Sequence, residues 1–399
     1  MDDQPRRWLT PGVKGIGAAS LLSDLGHEVP TSLLPRFITS LGGSAAVLGL
    51  IEGLADGLAG MSRLLGGALA DDPSRRRATA IGGYTSVAVL TGMIGLATAL
   101  WQVAVLRIGA WTARGLRVPA RNALLADAVR PDAYGRAYGF ERMMDNLGAI
   151  GGPLLALALV ALTSVRTAIL LSIIPGLLAT LAIIYAIRHL AKVERRERAP
   201  IRILIRPVLA AGMGRLMASV AAFEVGNVAA TLLILRATEL LVPARGADAA
   251  TSIALVLYVG YNTAAAATSV PAGHLSDRWT PRTVLVGGVL AFLVAYSVFA
   301  LAGANVIVLA VGFALAGVGI GCVETAEHAA VAVAPASIRG SAFGLLAAVQ
   351  SFGNLAASVV AGVIWTAVSP SAAFAYLAAW MLVAAVGFAL VPSSRTPVA

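Results

Sequence analysis

Apolar residues run along this chain in stretches of about twenty or more, separated by short polar turns, and about twenty is the number a helix needs to cross the hydrocarbon of a bilayer. In order, the stretches predict helices at about 15–39, 44–70, 78–100, 101–127, 135–162 and 166–190. A charged segment follows, with Lys192, Arg195, Arg196, Glu197, Arg198 and Arg202. Beyond it, six more helices are predicted at about 207–238, 248–275, 282–302, 305–332, 339–367 and 371–391. The expected architecture is an all-α integral membrane protein of twelve transmembrane helices. It divides into an N-terminal six-helix bundle at residues 1–190, a linker at 191–206 and a C-terminal six-helix bundle at 207–399.

The polar turns carry a repeat. Gly67-Ala-Leu-Ala-Asp71-Asp-Pro-Ser-Arg75-Arg76-Arg77 lies between the second and third helices. About two hundred residues later, Gly273-His-Leu-Ser-Asp277-Arg278-Trp-Thr-Pro-Arg282 lies between the eighth and ninth. Gly135, Gly139 and Gly148 are answered by Gly340, Gly344 and Gly353, and Asp145 by Gln350. Self-similarity at half length, in apolar segments joined by basic turns, reads as two membrane bundles related by a repeat. A carboxylate at such a helix end suits the free amides of a neighbouring helix N-terminus.

This pattern resembles the major facilitator superfamily of secondary transporters, whose loops between helices 2 and 3 and between helices 8 and 9 carry the same motif. The resemblance covers essentially the whole chain. It implies two pseudo-symmetric bundles around a central cavity that opens alternately to each side, with Asp71 and Asp277 latching the halves in the outward-facing state. Gly67, Arg75, Arg76, Gly273, Arg278 and Arg282 are the implied companions of that latch. The first copy departs from the family pattern, because Asp72 replaces a basic residue and Ser74 a glycine.

Composition agrees with a membrane chain: 58% of residues are hydrophobic and 13% charged, with 42 glycines and 18 prolines. The net charge of +10 sits in the connections, so it reads as topology and not as a nucleic-acid surface. Arg6, Arg7, Lys14, Arg75–Arg77, Arg130, Arg136, the linker, Arg278, Arg282, Arg339 and Arg395 fall on one side. The other side has only Arg36, Arg166, Arg236 and Arg245 near helix ends. The positive-inside rule then puts both termini in the cytoplasm of a bacterial inner-membrane protein. The leader to Lys14 has no cleavable signal pattern. One cysteine, Cys322, leaves no internal disulfide.

No Gly-Lys-Ser/Thr phosphate loop and no hydrolase constellation is present, so neither an ATP-driven pump nor an enzyme is expected. A monomeric secondary transporter with no cofactor, driven by the proton gradient, is expected. Its substrate is a small molecule, and the glycines and proline of helix 5 (Gly148, Gly151, Gly152, Pro153) resemble an exporter motif. A non-transporting membrane receptor or channel is the alternative of another class.

Candidate chemistry lies on charged residues inside the apolar helices, where a charge is costly and therefore functional by default. Helix 1 carries Asp24, His27 and Glu28, and resembles a bacterial exporter clade with acids at both positions. Helix 2 carries Glu52, Asp56 and Arg63, for which pairing with one another is an alternative to function. Helix 4 carries Arg107, Arg114, Arg117 and Arg121, of which the last three are assigned a gate or interface role. Asp145 shares a face of helix 5 with Glu141 and Arg142. Glu224, Glu324, Glu327, His328 and Gln350 complete the cavity set, and Asp24, Glu28 and Asp145 are the leading proton carriers. A divalent transition metal is a second substrate reading, with Asp24, His27, Glu28, Glu324, Glu327 and His328 as ligands, since carboxylate and imidazole suit nickel, cobalt, zinc or ferrous iron. The same residues equally suit a proton relay for organic cargo.

Overall fold

A computed structural model of the chain describes residues 8–190 and 200–391, which are helical with no strand. The charges at Arg6, Arg7, Lys192, Arg195, Arg196, Glu197, Arg198 and Arg395, and residues 191–199 of the predicted linker, lie outside the described residues. Twelve helical passes follow one another. The first half holds α1 (Pro11–Ser40), α2 (Ala45–Ala70), α3 (Pro73–Met93), α4 (Leu100–Ala128), α5 (Tyr134–Leu162) and α6 (Val165–Arg188). The second holds α7 (Ile205–Arg245), α8 (Ala247–Arg278), α9 (Pro281–Leu301), α10 (Val306–Ala332), α11 (Arg339–Ala367) and α12 (Pro370–Ala389). Nine of the twelve are long and apolar enough to cross a membrane on composition alone. The other three, α1, α2 and α4, are rich in charged candidates. Outward-facing Leu157, Leu181, Val256 and Val363 are exposed, a surface that suits lipid and not water.

Local chemistry accounts for the boundaries. Helix α3 starts at Pro73, five residues before its predicted start, because the Asp72 carboxylate accepts from the amides of Ser74 at 2.9 Å and Arg75 at 3.4 Å. It ends early, passing into a 3-10 turn at Ile94–Leu96. Helix α7 is interrupted twice and runs on to Arg245, beyond its predicted end. A wide turn at Leu209–Met213 contains Gly212 at φ 88°, a conformation that favours glycine. The helix opens again after Gly226, where Asn227 adopts an extended backbone. The groups freed there are met by neighbours. Val228 N donates to the Tyr296 hydroxyl (3.4 Å), Ala229 N to Ser358 Oγ (3.3 Å), and Asn354 Nδ2 donates to the Asn227 carbonyl (2.7 Å).

The packing repeats along with the sequence. In the first half α1 packs on α5 and α6, α2 on α4, and α3 on α4 and α6. In the second, α7 packs on α11 and α12, α8 on α10, and α9 on α10 and α12. The two six-helix bundles meet through α2 with α11 and through α5 with α8, pairs that the same repeat exchanges. Small residues set the approach. A Cβ at Gly67 would lie 2.7 Å from the Gly340 carbonyl oxygen, and one at Gly60 would lie 3.3 Å from Ser351 Cβ, while one at Gly53 would meet nothing within 4 Å. Steps of seven residues keep these three glycines on one face of α2. Helices α2 and α11 therefore touch at the arginine-rich end and part towards the other, leaving a cavity between the bundles.

This wedge generates a test. Gly67→Val forces backbone apart in a filled site, an overpacking cost of about 1–3 kcal/mol, so spin labels on α2 and α11 at the arginine-rich end should move apart by a few ångströms. Gly53→Val enters open space and should leave the same distance distribution unchanged.

Candidate functional site

At the arginine-rich end two carboxylates cap helices of the opposite half. Asp71, the residue after α2, accepts from Ser341 N at 2.9 Å and from the Ser341 hydroxyl, in the first turn of α11. Asp277, at the end of α8, accepts from Gly135 N at 2.6 Å and from Arg136 N at 3.0 Å, in the first turn of α5. Arg136 Nε adds a charged bond to it at 2.8 Å. Burial at the junction pushes the Asp71 carboxyl above the ordinary range, against the pull of the Ser341 bonds and the Arg76 charge.

The basic companions behave differently in the two copies. Arg76 is buried, donates from Nε to the Ala70 carbonyl at 2.6 Å and pairs with Asp127 at the end of α4. Arg339, which begins α11, reaches the other oxygen of Asp127 at 3.1 Å, so Asp127 joins three helices across the halves. In the second copy Arg278 is exposed, while Arg282 donates to the Val391 carbonyl at 3.2 Å within its own half. Arg75 lies 3.5 Å from Asp72, whose carboxyl is held below its usual range by bonds from Ser74 that outweigh its slight burial.

Above this closed end lies a cavity of about 570 Å³, lined from both halves. Its first-half wall is a network of ion pairs. Glu141, fully buried, faces Arg121 Nη1 at 2.6 Å and Arg142 Nε at 2.8 Å, and also accepts from Ser20 Oγ at 2.6 Å. Asp145 sits 3.6 Å from Arg121 and 3.3 Å from Arg142. On α1, His27 Nδ1 meets the Ser23 carbonyl at 3.0 Å, which leaves Nε2 to accept from Arg114 at 2.7 Å. Asp24 lies 3.5 Å from Arg114, and Glu28 lies 3.3 Å from His27. Towards the wide end Arg107 faces Glu52 with two nitrogens at 2.9 Å and stacks 3.4 Å over Trp111, which in turn donates to Asp56 at 2.9 Å. Arg117 stacks 3.8 Å over Tyr84.

The second-half wall has no such network. Glu224 accepts from Asn227 Nδ2 at 3.0 Å, beside the break in α7. Glu327, fully buried, accepts from Gln350 Nε2 at 2.9 Å through one oxygen, and the other has no hydrogen-bond partner. Among the described residues, neither acid has a basic side chain within ion-pair distance. Glu324 lies 3.5 Å from Arg142, an ion pair that crosses between the halves.

The sequence profile of the Major Facilitator Superfamily matches residues 16–243 and 216–399. The chain belongs to this superfamily. An MFS-type transporter of Methanocaldococcus jannaschii is 29% identical over 380 residues, covering 93% of this chain and 92% of its own. A protein of Mycobacterium tuberculosis is 30% identical over 340 residues, covering 83% and 81%. Among solved structures, the human organic anion transporter MFSD10 (TETRAN) superposes with a TM-score of 0.73 at 16% identity, and the MFS transporter FucP in its outward conformation with 0.71 at 15%. Each covers 97% of this chain and 100% of its own, and at these identities the likeness is one of fold.

Within this MFS fold several expectations from sequence need correction. Arg114, Arg117 and Arg121, expected at a gate or interface, line the cavity midway along α4. Arg63 does not pair with Asp56 or Glu52; it crosses to α11, donating to the Ala347 carbonyl at 2.8 Å and to Ser351 Oγ. The two predicted metal clusters do not form one. Among the described residues no three His, Cys, Asp or Glu side chains are placed to hold a metal ion. Asp24 and Glu28 approach opposite nitrogens of His27, with the Arg114 cation alongside. Glu327 turns to Gln350 while the His328 ring sits by Tyr138 and Phe343. Asp127 was missed altogether, although an acid ending helix 4 level with Arg75–Arg77 was a visible signal.

The buried triad makes a stability prediction. Glu141→Gln leaves the Arg121 and Arg142 charges with only the more distant Asp145 and Glu324, which should cost about 3 kcal/mol and lower the unfolding temperature in detergent by several degrees. Asp132→Asn, in an exposed pair with Arg130, should leave that temperature unchanged within error, since surface pairs contribute about 0–1 kcal/mol.

Proposed function

We propose that this MFS transporter is a proton-coupled exporter of a small organic molecule, working by alternating access as a monomer. Its arginine-rich end faces the cytoplasm of a bacterium, a reading supported by the positive-inside rule. The contact of α2 and α11 at that end, and their parting beyond it, supports an outward-facing state held by the Asp71 and Asp277 caps. A cavity complete within one chain supports the monomer.

The observation that carries the coupling is Glu327, buried in the membrane interior without a counter-cation. A bare charge there is expensive, and a proton removes it. Glu224 stands in the same position at the break of α7. The acids that sequence favoured stand nearer to basic side chains: Asp24 has Arg114 at 3.5 Å, Asp145 has Arg142 at 3.3 Å, and Glu28 lies 3.3 Å from the His27 ring. Glu327 and Glu224 are therefore the assigned carriers, and no resident cofactor is invoked. Export, and not import, is inferred from the resemblance of the helix 5 glycines to an exporter motif; in the structure Gly148 and Gly152 let α5 approach α1, with a Cβ at Gly148 placed 2.6 Å from the Leu21 carbonyl oxygen.

Proteoliposomes with an entrapped pH dye test the reading, challenged with a panel of organic compounds and with nickel, cobalt and zinc salts. A transported compound should move protons and accumulate against its gradient. Glu327→Gln, or Glu224→Gln, should abolish accumulation while retaining counterflow exchange within about threefold. Full proton-driven accumulation in the double variant removes these carriers. Binding with no movement of any compound favours a receptor, and accumulation of a metal salt alone replaces organic cargo with a metal.

A further inference from the structure

The arginines that line the cavity are confined to one wall, which also carries Asp56 and Asp145. Every arginine that faces it comes from the first half: Arg63, Arg114, Arg117, Arg121 and Arg142. The second-half wall contributes no basic residue other than His328; it brings Glu224 and Glu324 with the amides of Asn227, Gln350 and Asn354. Aromatic surface is confined to Phe352. A cavity so polar offers no stacking platform for a flat apolar drug.

Some of these charges are already satisfied by one another, and the exceptions identify the ligand. Arg121 and Arg142 are held by Glu141, while Arg117, deeply buried, stacks on Tyr84 and leaves Nε and Nη1 without a hydrogen-bond partner. Arg63 has no acid within ion-pair distance: one nitrogen bonds neutral oxygens of α11 and its buried Nε has no partner. Arg114 is the most open arginine of α4, 27% exposed against 4% for Arg121, and its carboxylate contact to Asp24 is long at 3.5 Å. Across the cavity Glu324 is 32% exposed and touches only Arg142, through one oxygen at 3.5 Å. Three under-used cations thus stand on one wall, of which Arg117 is closely stacked on a ring and Arg63 and Arg114 are not, and an under-used acid stands on the other.

We propose that the cavity takes a small hydrophilic zwitterion of amino-acid type, with its carboxylate against Arg63 and Arg114 and its ammonium against Glu324. The assignment rests on the transporter reading above. A cation alone would bring its charge to a cavity whose arginines outnumber their acid partners on the first wall, and an anion alone would face Glu224 and Glu324. A dipolar molecule satisfies both walls without leaving a net charge in the interior. The volume of about 570 Å³ suits a molecule of one or two residues in size. The amides of Asn227, Gln350 and Asn354 supply the hydrogen bonds that orient the remainder.

Calorimetric binding to the purified full chain in nanodiscs tests this with matched compounds. The probes are the protein amino acids, β-alanine and glycylglycine, and for each its methyl ester (a cation) and N-acetyl form (an anion). At least one parent zwitterion should bind, and blocking either end should weaken it by about tenfold or more, because a site built around a charged group rejects the analogue lacking it. Arg114→Gln should bring ester and parent within about twofold of each other, and Glu324→Gln should do so for the N-acetyl form and parent. The proposal is overturned if an ester or N-acetyl compound binds wild type as well as its parent, or if no zwitterion binds. Proton-linked transport of other compounds alongside that null result would leave the transporter reading standing. Zwitterion binding with no transport would sink the transporter reading instead.

Discussion

A charge inside hydrocarbon persists only where the protein supplies its counter-charge, and Glu141 shows how far that constraint shapes this chain. Its carboxylate is fully buried, yet three neighbours from α1, α4 and α5 converge on it: Ser20, Arg121 and Arg142. The Glu52–Arg107 contact fastens α2 to α4, and the cluster of Asp24, His27, Glu28 and Arg114 fastens α1 to α4. These pairs let α1, α2 and α4 cross the membrane despite their charge. They also make the first bundle one electrostatic unit, in which each element's fit depends on the others.

The two bundles share a pattern of packing and differ in chemistry. Both donate a carboxylate from the end of their second helix to the amides of a helix in the partner bundle, so the repeat builds the closed end twice from one rule. Only the first copy adds the Arg76–Asp127–Arg339 chain. The cavity walls diverge further: arginines in excess of their acid partners on one side, and on the other Glu224 and the buried Glu327 behind the wall each accepting from an amide. The rigid, paired wall suits a fixed scaffold. The half in which Glu224 and Glu327 lack cations is the one whose charge a proton or a ligand changes most.

Much of this architecture was legible in the sequence, because hydrophobic length and the repeated turn are local signals. Asp71 and Asp277 were readable for the same reason: an acid at the end of one apolar run needs donors, and a helix N-terminus is the nearest source. Spacing along one helix reported Glu141, Arg142 and Asp145 as a face but could not report Arg121, which arrives from α4. It suggested Asp56 for Arg63, whereas seven residues, about 10 Å of rise, separate them and α11 stands closer. The two expected metal-ligand clusters fail to converge for a similar reason. Residues three and four apart share a side of a helix, but whether they converge depends on what else is bonded there, and His27 is already occupied on both nitrogens.

Two arginines of the first half also tie the halves together in mid-membrane. Arg63 bonds α11, and Arg142 reaches Glu324. Opening the arginine-rich end means losing both ties together with the caps at Asp71 and Asp277. Each charged hydrogen bond contributes about 1.5–3 kcal/mol at most, and moving a two-state equilibrium from 1:99 to 99:1 takes about 5.5 kcal/mol. A few such bonds are therefore enough to hold one state, and a ligand that replaces two or three of them is enough to release it. The proposed zwitterion, engaging Arg63 and Glu324, would do this directly by substituting its own charges for the contacts that join the bundles. Binding and opening are then coupled through shared atoms, with no signal needing to travel between distant sites.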